Sequence, residues 1–179
     1  MPEIEIRPVT QNDIEALSAF EHGYYSEYVW QMSLDVTIES TQIAFKRRHL
    51  PRRVLVPYPR NREVIFNNVG DAEAFLLAEH AGSLVGYLKI ESQKDTKIAR
   101  VSDLVVTSSM RRQGIGSGLL YAGMDYLTHR GLSTLVLEMQ SKNDPSIKMA
   151  AKLGFSFCGF RDHFFPNNDL ALFFSRFVR

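Results

Sequence analysis

Arg111-Arg112-Gln113-Gly114-Ile115-Gly116 is the stretch that decides the fold. It follows the apolar run Leu104-Val105-Val106 and opens an amphipathic segment from Leu119 to Leu127. A strand, a glycine turn and a helix in succession make an arrangement that holds phosphate. Gly114 and Gly116 lack a Cβ, so a ligand can approach the backbone and positive φ costs little. The first N–H groups of a helix have no partner within it, and the helix dipole adds partial positive charge there. Arg111 and Arg112 add full charges beside them. The spacing also excludes two nucleotide-binding patterns. No Lys-Ser or Lys-Thr follows Gly116, as a P-loop needs, and no glycine stands three residues beyond it, as the dinucleotide fingerprint needs. A tight connection with two surface arginines is the plain alternative, and the sequence further on weighs against it.

Downstream, Leu135-Val136-Leu137-Glu138 precedes Asn143-Asp144-Pro145-Ser146-Ile147-Lys148-Met149-Ala150-Ala151-Lys152-Leu153-Gly154-Phe155. Arg-x-x-Gly-x-Gly between a strand and a helix resembles the acyl-coenzyme A signature of the GNAT N-acetyltransferases. The second stretch resembles the strand, Asn-initiated helix and Leu-Gly-Phe ending of the same family. The two matches with their flanks cover residues 75 to 177, in the family's order. The resemblance implies an α/β (α+β) fold: a central mixed, mostly antiparallel sheet flanked by helices. It also implies an acetyl-coenzyme A-dependent N-acetyltransferase.

Composition agrees with a globular protein. A chain of 179 residues with 45% hydrophobic content suits one domain, 1–179, with a sizeable core. A net charge of +1 gives no reason to expect nucleic acid. The single cysteine, Cys158, rules out an internal disulfide, and the five histidines show no paired ligand spacing, so no metal is expected. The first residues lack the basic and apolar regions of a signal peptide, and no apolar run approaches the ~20 residues that span a bilayer. A cytoplasmic protein with no membrane partner is expected.

Alternation in Ile4–Val9 predicts a first strand, and Ile14, Leu17 and Phe20 a short helix ending near Gly23. The aromatic segment Tyr24–Leu34 reads as a second helix or a lid-like loop. An irregular, extended arm is expected over about residues 37–68, because Pro51, Pro57 and Pro59 oppose both a helix and a central strand. Its basic residues, Lys46, Arg47, Arg48, Arg52, Arg53, Arg60 and Arg62, read as a solvated edge that prevents edge-to-edge pairing. Phe75–His80 and Leu84–Glu91 predict a hairpin, Lys94–Lys97 a polar turn, and Ile98–Thr107 a strand. Helices are expected at Gly116–Arg130 and after the Asn143 cap, with Gly131 and Gly154 beyond their ends. Leu135–Gln140, Phe157–Phe160 and Leu170–Phe177 read as strands. Phe173, Phe174 and Phe177 suit either core or the seam of a homodimer, and core is the better fit.

Acyl transfer to an amine must hold a thioester, polarise its carbonyl, deprotonate the amine and stabilise the leaving thiolate. The resemblance implies that Leu104, Val105 and Val106 pair with the pantetheine arm, beside a strand bulge, and that a backbone N–H near Val106 polarises the carbonyl. It implies that Arg111, Arg112, Gln113, Gly114, Ile115, Gly116 and Ser117 hold the pyrophosphate. Asn143, Ser146 and Lys152 are candidates for the coenzyme's outer parts, although a helix cap alone explains Asn143. Glu138 interrupts an apolar strand at the end where ligands sit, which makes it the candidate base, matching a Glu in GNAT enzymes that acetylate protein N-termini. A strand-end Glu paired with a cation is the competing reading. Asp103 is a second candidate.

The chain departs from the family at Ala150, where a tyrosine usually protonates the thiolate. Tyr121, Tyr126, Cys158 and His163 are the substitutes to examine, and a non-catalytic acyl-coenzyme A-binding module is the rival class. Leu137–Asn143 and Leu172–Ser175 resemble streptothricin acetyltransferases, while Arg161–Pro166 resembles a loop of ribosomal-protein N-terminal acetyltransferases. Both point to a primary amine. Glu27, Tyr28 and Trp30, in an acidic and aromatic segment, suit a small cationic acceptor.

Overall fold

A computed structural model describes residues 2–67, 69–92 and 95–178. Its strands are β1 (Glu5–Pro8), β2 (Tyr24–Val36), β3 (Thr41–Val56), β4 (Ala74–His80), β5 (Ser83–Ser92), β6 (Ile98–Val106), β7 (Thr134–Gln140), β8 (Ser156–Arg161) and β9 (Ala171–Phe177). The helices are α1 (Ile14–Ser18), α2 (Arg62–Phe66), α3 (Ile115–His129) and α4 (Asp144–Lys152). Lys94, in the expected polar turn, lies outside the described residues.

Seven strands form one sheet in the order β1-β4-β5-β6-β7-β9-β8. All neighbours are antiparallel except β6 and β7. A parallel pair needs a crossover, and α3 supplies it. One face carries Leu88, Ile90, Ala99, Val101, Leu135, Leu137 and Phe174 against Leu119, Leu127 and Ile147 of the two long helices. The other carries Phe75, Leu77, Tyr87 and Val105 against Leu17 of α1 and Ile65 of α2. A Cβ on Gly123 would come within 2.7 Å of Leu88 Cδ2 and 2.8 Å of Ile90 Cδ1, so α3 rests on the sheet with its backbone. Phe174 belongs to the core, whereas Phe177 is 74% exposed.

The segment expected as a helix or lid is a strand. β2 and β3 form a separate antiparallel ribbon. Ser26, Tyr28, Trp30, Met32, Leu34 and Val36 recur every second residue, which is strand spacing. Arg47, Phe45, Ile43 and Thr41 stand opposite the last four and share their face. The expected irregular arm is therefore mostly β3 and α2. Pro51 is accommodated because pairing jumps from Tyr28–His49 to Ser26–Val54, placing Pro51 in an irregular stretch where no ladder bond is required. Near the body, Phe45 packs on Phe157 and Phe160 at centroid distances of 5.5 and 5.4 Å. Toward the ribbon's end, Leu34, Val36, Ile38 and Ile43 are exposed.

One irregularity in the sheet makes the site. Lys89 pairs with Asp103 and Ile90 with Val101, so Ser102 is an extra residue in β6. The bulge changes which residues face which core. Ala99 and Val101 face the α3 side, then Leu104 and Val106 do, while Val105 turns to the α1 side. Pairing of β6 with β7 stops at Val101–Leu137 although both strands continue. The strands part there and leave a slot.

Candidate functional site

The turn before α3 is built by backbone geometry. Arg112 has φ +67° and Gly114 φ +90°, a region that only the glycine enters without cost. Gly118 N–H bonds Gly114 O at 2.9 Å, which leaves the N–H groups of Ile115, Gly116 and Ser117 outside the helical ladder. They open on a cavity of about 590 Å³ that runs along Leu104–Val106 and is also lined by Arg53, Arg111, Arg112, Lys148 and Lys152. Thr107 N–H bonds Val85 O at 2.9 Å. By strand alternation, the main-chain groups of Leu104 and Val106 then face the slot, and those of Val105 face β5. The bulge and the splay that the resemblance implied are both present.

The two arginines of the turn differ. Arg111 donates from Nε to Val106 O at 2.8 Å and from Nη2 to Glu21 O and Gly23 O at 3.1 and 3.0 Å. Burial lowers its pKa from the usual arginine range. It ties the end of β6 to the root of the ribbon while lining the slot, whereas Arg112 is exposed. Across the cavity, Asn143 caps α4 by accepting from Ser146 N–H at 3.3 Å.

The carboxylates lie deeper. Glu138 and Asp103 are buried on the two parting strands, with side chains 3% and 2% exposed. Glu138 Oε1 accepts from Arg100 Nη1 at 2.5 Å, and Arg100 also binds Glu91 at 2.6 Å. Arg60 reaches between the strands: it donates to Ser102 O, stands 3.4 Å from Asp103 Oδ2 and 3.7 Å from Glu138 Oε2. Tyr58 donates to Asp103 Oδ1 at 2.9 Å. Burial, helped by Asp103, pushes the Tyr58 phenol well above its ordinary pKa. Glu138 Oε2 is buried and has no hydrogen-bond partner among the described residues. Glu138 lines an inner cavity of about 70 Å³, which shares Tyr24, Tyr58, Leu104, Asn143, Ser146 and Met149 with the slot. The sequence singled out Glu138 and Asp103 but not Tyr58 or Arg60. These come from the Pro57–Arg62 stretch that read as a solvated edge, and proline on both sides of Tyr58 was the one signal of a fixed path there.

The residues expected at the acceptor lie elsewhere. Tyr28 and Trp30 line neither cavity. Trp30 Nε1 donates to Asp144 Oδ1 at 3.2 Å, Arg47 binds Asp144 through two bonds of 2.7 and 3.0 Å, and Arg47 covers the Tyr28 ring at 3.2 Å. Lys148 stands 3.1 Å from Asp144. Burial acts to raise the Asp144 pKa, but hydrogen bonds from Arg47, Lys148 and Trp30 bring it below its ordinary value. This cluster fastens the ribbon to α4. Glu27 is exposed and lines neither cavity. Instead Tyr24 and Tyr25 of the same segment face the slot. Among the described residues no cluster of potential metal ligands occurs, and no helix is long and apolar enough to cross a membrane.

Slot, glycine turn and parting strands together define an acyltransferase architecture, and comparison places it. Residues 39–155 match the Acetyltransferase (GNAT) family, and the chain belongs to that family. It is 33% identical over 99 residues to a mycothiol acetyltransferase of Acidimicrobium ferrooxidans, covering 54% of this chain and 31% of that protein. It is 29% identical over 89 residues to the streptothricin acetyltransferase of Streptomyces lavendulae, covering 50% and 47%. The matches thus span a third to a half of these relatives' lengths. A Bacillus anthracis protein solved in complex with acetyl coenzyme A superposes with a TM-score of 0.79 over 98% of this chain and 99% of that one. At 16% identity that likeness is one of fold.

Proposed function

We propose that this protein moves the acetyl group of acetyl-coenzyme A to the primary amine of a small cationic molecule. The observation that carries the reading is Glu138, which lines a small cavity joined to the slot and whose buried Oε2 has no hydrogen-bond donor among the described residues. A buried carboxylate oxygen without a donor is costly, and an incoming amine supplies the donor. The charge around it has the right sign. Among the described residues, Glu91, Asp103 and Glu138 are paired with Arg60 and Arg100, so three negative groups meet two positive ones. One ammonium balances them.

The slot fits the coenzyme. The free N–H groups of Ile115–Ser117 and the cations Arg112, Lys148 and Lys152 suit its phosphates, and the inward main-chain groups of Leu104 and Val106 suit the pantetheine amides. With Oε1 held by Arg100, Oε2 is the oxygen that takes the amine's proton. The freed nitrogen lone pair then attacks the thioester carbon.

Thiol release from acetyl-coenzyme A in the presence of streptothricin-type antibiotics, aminoglycosides, polyamines and N-terminal peptides tests the proposal. Saturable release with small cations is the expected result. Release only with peptides would move the acceptor to a protein N-terminus, and coenzyme binding without release would leave a binding module. Glu138→Gln should lower kcat by about 10²–10⁴-fold.

A further inference from the structure

Breaking a thioester places a negative charge on sulfur, and a donor fixed where charge develops is among the strongest devices an enzyme has. Ala150 is fully buried in the core and offers no donor. Tyr121, Tyr126, Cys158 and His163 line neither the slot nor the inner cavity. Two phenols line both, Tyr24 and Tyr58.

We propose that Tyr24 is a catalytic residue that donates its hydroxyl hydrogen bond to the departing sulfur. The assignment rests on the acetyl-transfer reading above, and it places the donor on the ribbon rather than on α4. Tyr58 is committed elsewhere. Its O–H serves the Asp103 carboxylate at 2.9 Å, and withdrawing it would strip a buried charge of a partner. The Tyr24 O–H rests on a neutral acceptor, Gln140 Oε1, at the longer distance of 3.1 Å. Gln140 keeps a bond of 3.0 Å from Nε2 to Asp169 when Tyr24 turns away. Hydrogen bonds to charged acceptors are about twice as strong as neutral ones, so a thiolate draws the hydroxyl from the amide. Arg111 fixes the approach by gripping Glu21 O and Gly23 O just ahead of Tyr24.

The step balances without a proton leaving the phenol. The C–N bond forms, the C–S bond breaks, and sulfur keeps the electron pair. The ammonium gives one proton to Glu138 before attack, and the nitrogen loses its second, once the C–N bond has formed, through solvent to the released thiolate, so coenzyme A leaves as the thiol. Burial, with help from Asp169, raises the Tyr24 pKa, so the phenol stays protonated and acts as donor throughout.

The test compares wild type with Tyr24→Phe and Tyr58→Phe by two readouts. One is kcat with a good amine. The other is the titration of the bound coenzyme A thiol, followed by the ultraviolet absorbance of its thiolate. Tyr24→Phe should lower kcat by about ten-fold. It should also make the bound thiol titrate about one pH unit higher, because a donor to the charged form is gone. Tyr58→Phe should leave the thiol titration in place. A fall in kcat with an unmoved thiol titration in Tyr24→Phe overturns the assignment, as does a shift confined to Tyr58→Phe. A wild-type protein whose bound thiol shifts with Tyr24, yet which releases no thiol with any amine, sinks the transfer reading while upholding the contact.

Discussion

Neighbouring residues of one type can have unrelated tasks, and Arg111 and Arg112 show why. Arg112 sits at φ +67°, so the chain turns sharply between them and their side chains diverge. Arg111 is spent on three carbonyls that join β6 to the ribbon. Arg111→Met should destabilise the fold by about 2 kcal/mol, seen as a lower urea midpoint at unchanged slope. Arg112→Gln should leave that midpoint in place and weaken acetyl-coenzyme A binding about ten-fold, measured by titration calorimetry. The sequence named both residues through the Arg-x-x-Gly-x-Gly pattern and could not divide their roles. The same limit applies to Asp103 and Glu138. Glu138 was legible because it interrupts an apolar strand, and Asp103 because it stands beside the Leu104–Val106 strand. Their partners were not, since Tyr58 lies 45 residues from Asp103 and Arg100 lies 38 from Glu138, and only the closed fold brings them together.

Among the elements, those with strong local signals were legible. The β4–β5 hairpin has an Ala-Gly-Ser turn, and α3 and α4 carry glycine ends and an Asn cap. The β2–β3 ribbon was not, because Tyr25 and Val29 interrupt its alternation and three prolines mask its partner. Its attachment to α4 has a consequence for acid stability. Asp144 titrates below its ordinary value in the folded protein. The unfolded chain therefore binds more protons as pH falls. The stability from this cluster is complete above the unfolded-state value near 4 and is lost as pH drops through the folded value. Asp13, held low by its hydrogen bonds from Arg7, adds a contribution of the same sign. Asp144→Asn should start less stable at pH 7, with Arg47 left unpaired, and should lose less stability than wild type between pH 5 and 3. Urea midpoints across that range measure both. An equal loss in the variant would show that the carboxylate is not held low.

At the scale of the molecule, the slot divides the sheet. The part ending at β6 meets the part beginning at β7 through one short ladder, Ile98–Val101 with Thr134–Leu137. The ribbon closes the other side, tied to α4 by Arg47–Asp144 and to the glycine turn by Arg111. A ligand in the slot touches both parts and binds only the folded state. At a hundred times its Kd, acetyl-coenzyme A should add about 2.7 kcal/mol, which raises Tm by about 5–10 °C for a chain of this size. Arg47→Met separates this bridging from simple occupancy. If the Arg47–Asp144 tie sets the slot's width, the variant should melt lower without ligand and gain less from the same ligand concentration, because its Kd is weaker. A variant that melts lower yet gains as much as wild type would show that the ribbon stabilises α4 without shaping the slot. The shift measured against ligand concentration in both proteins decides between them, since Kd follows from its rise.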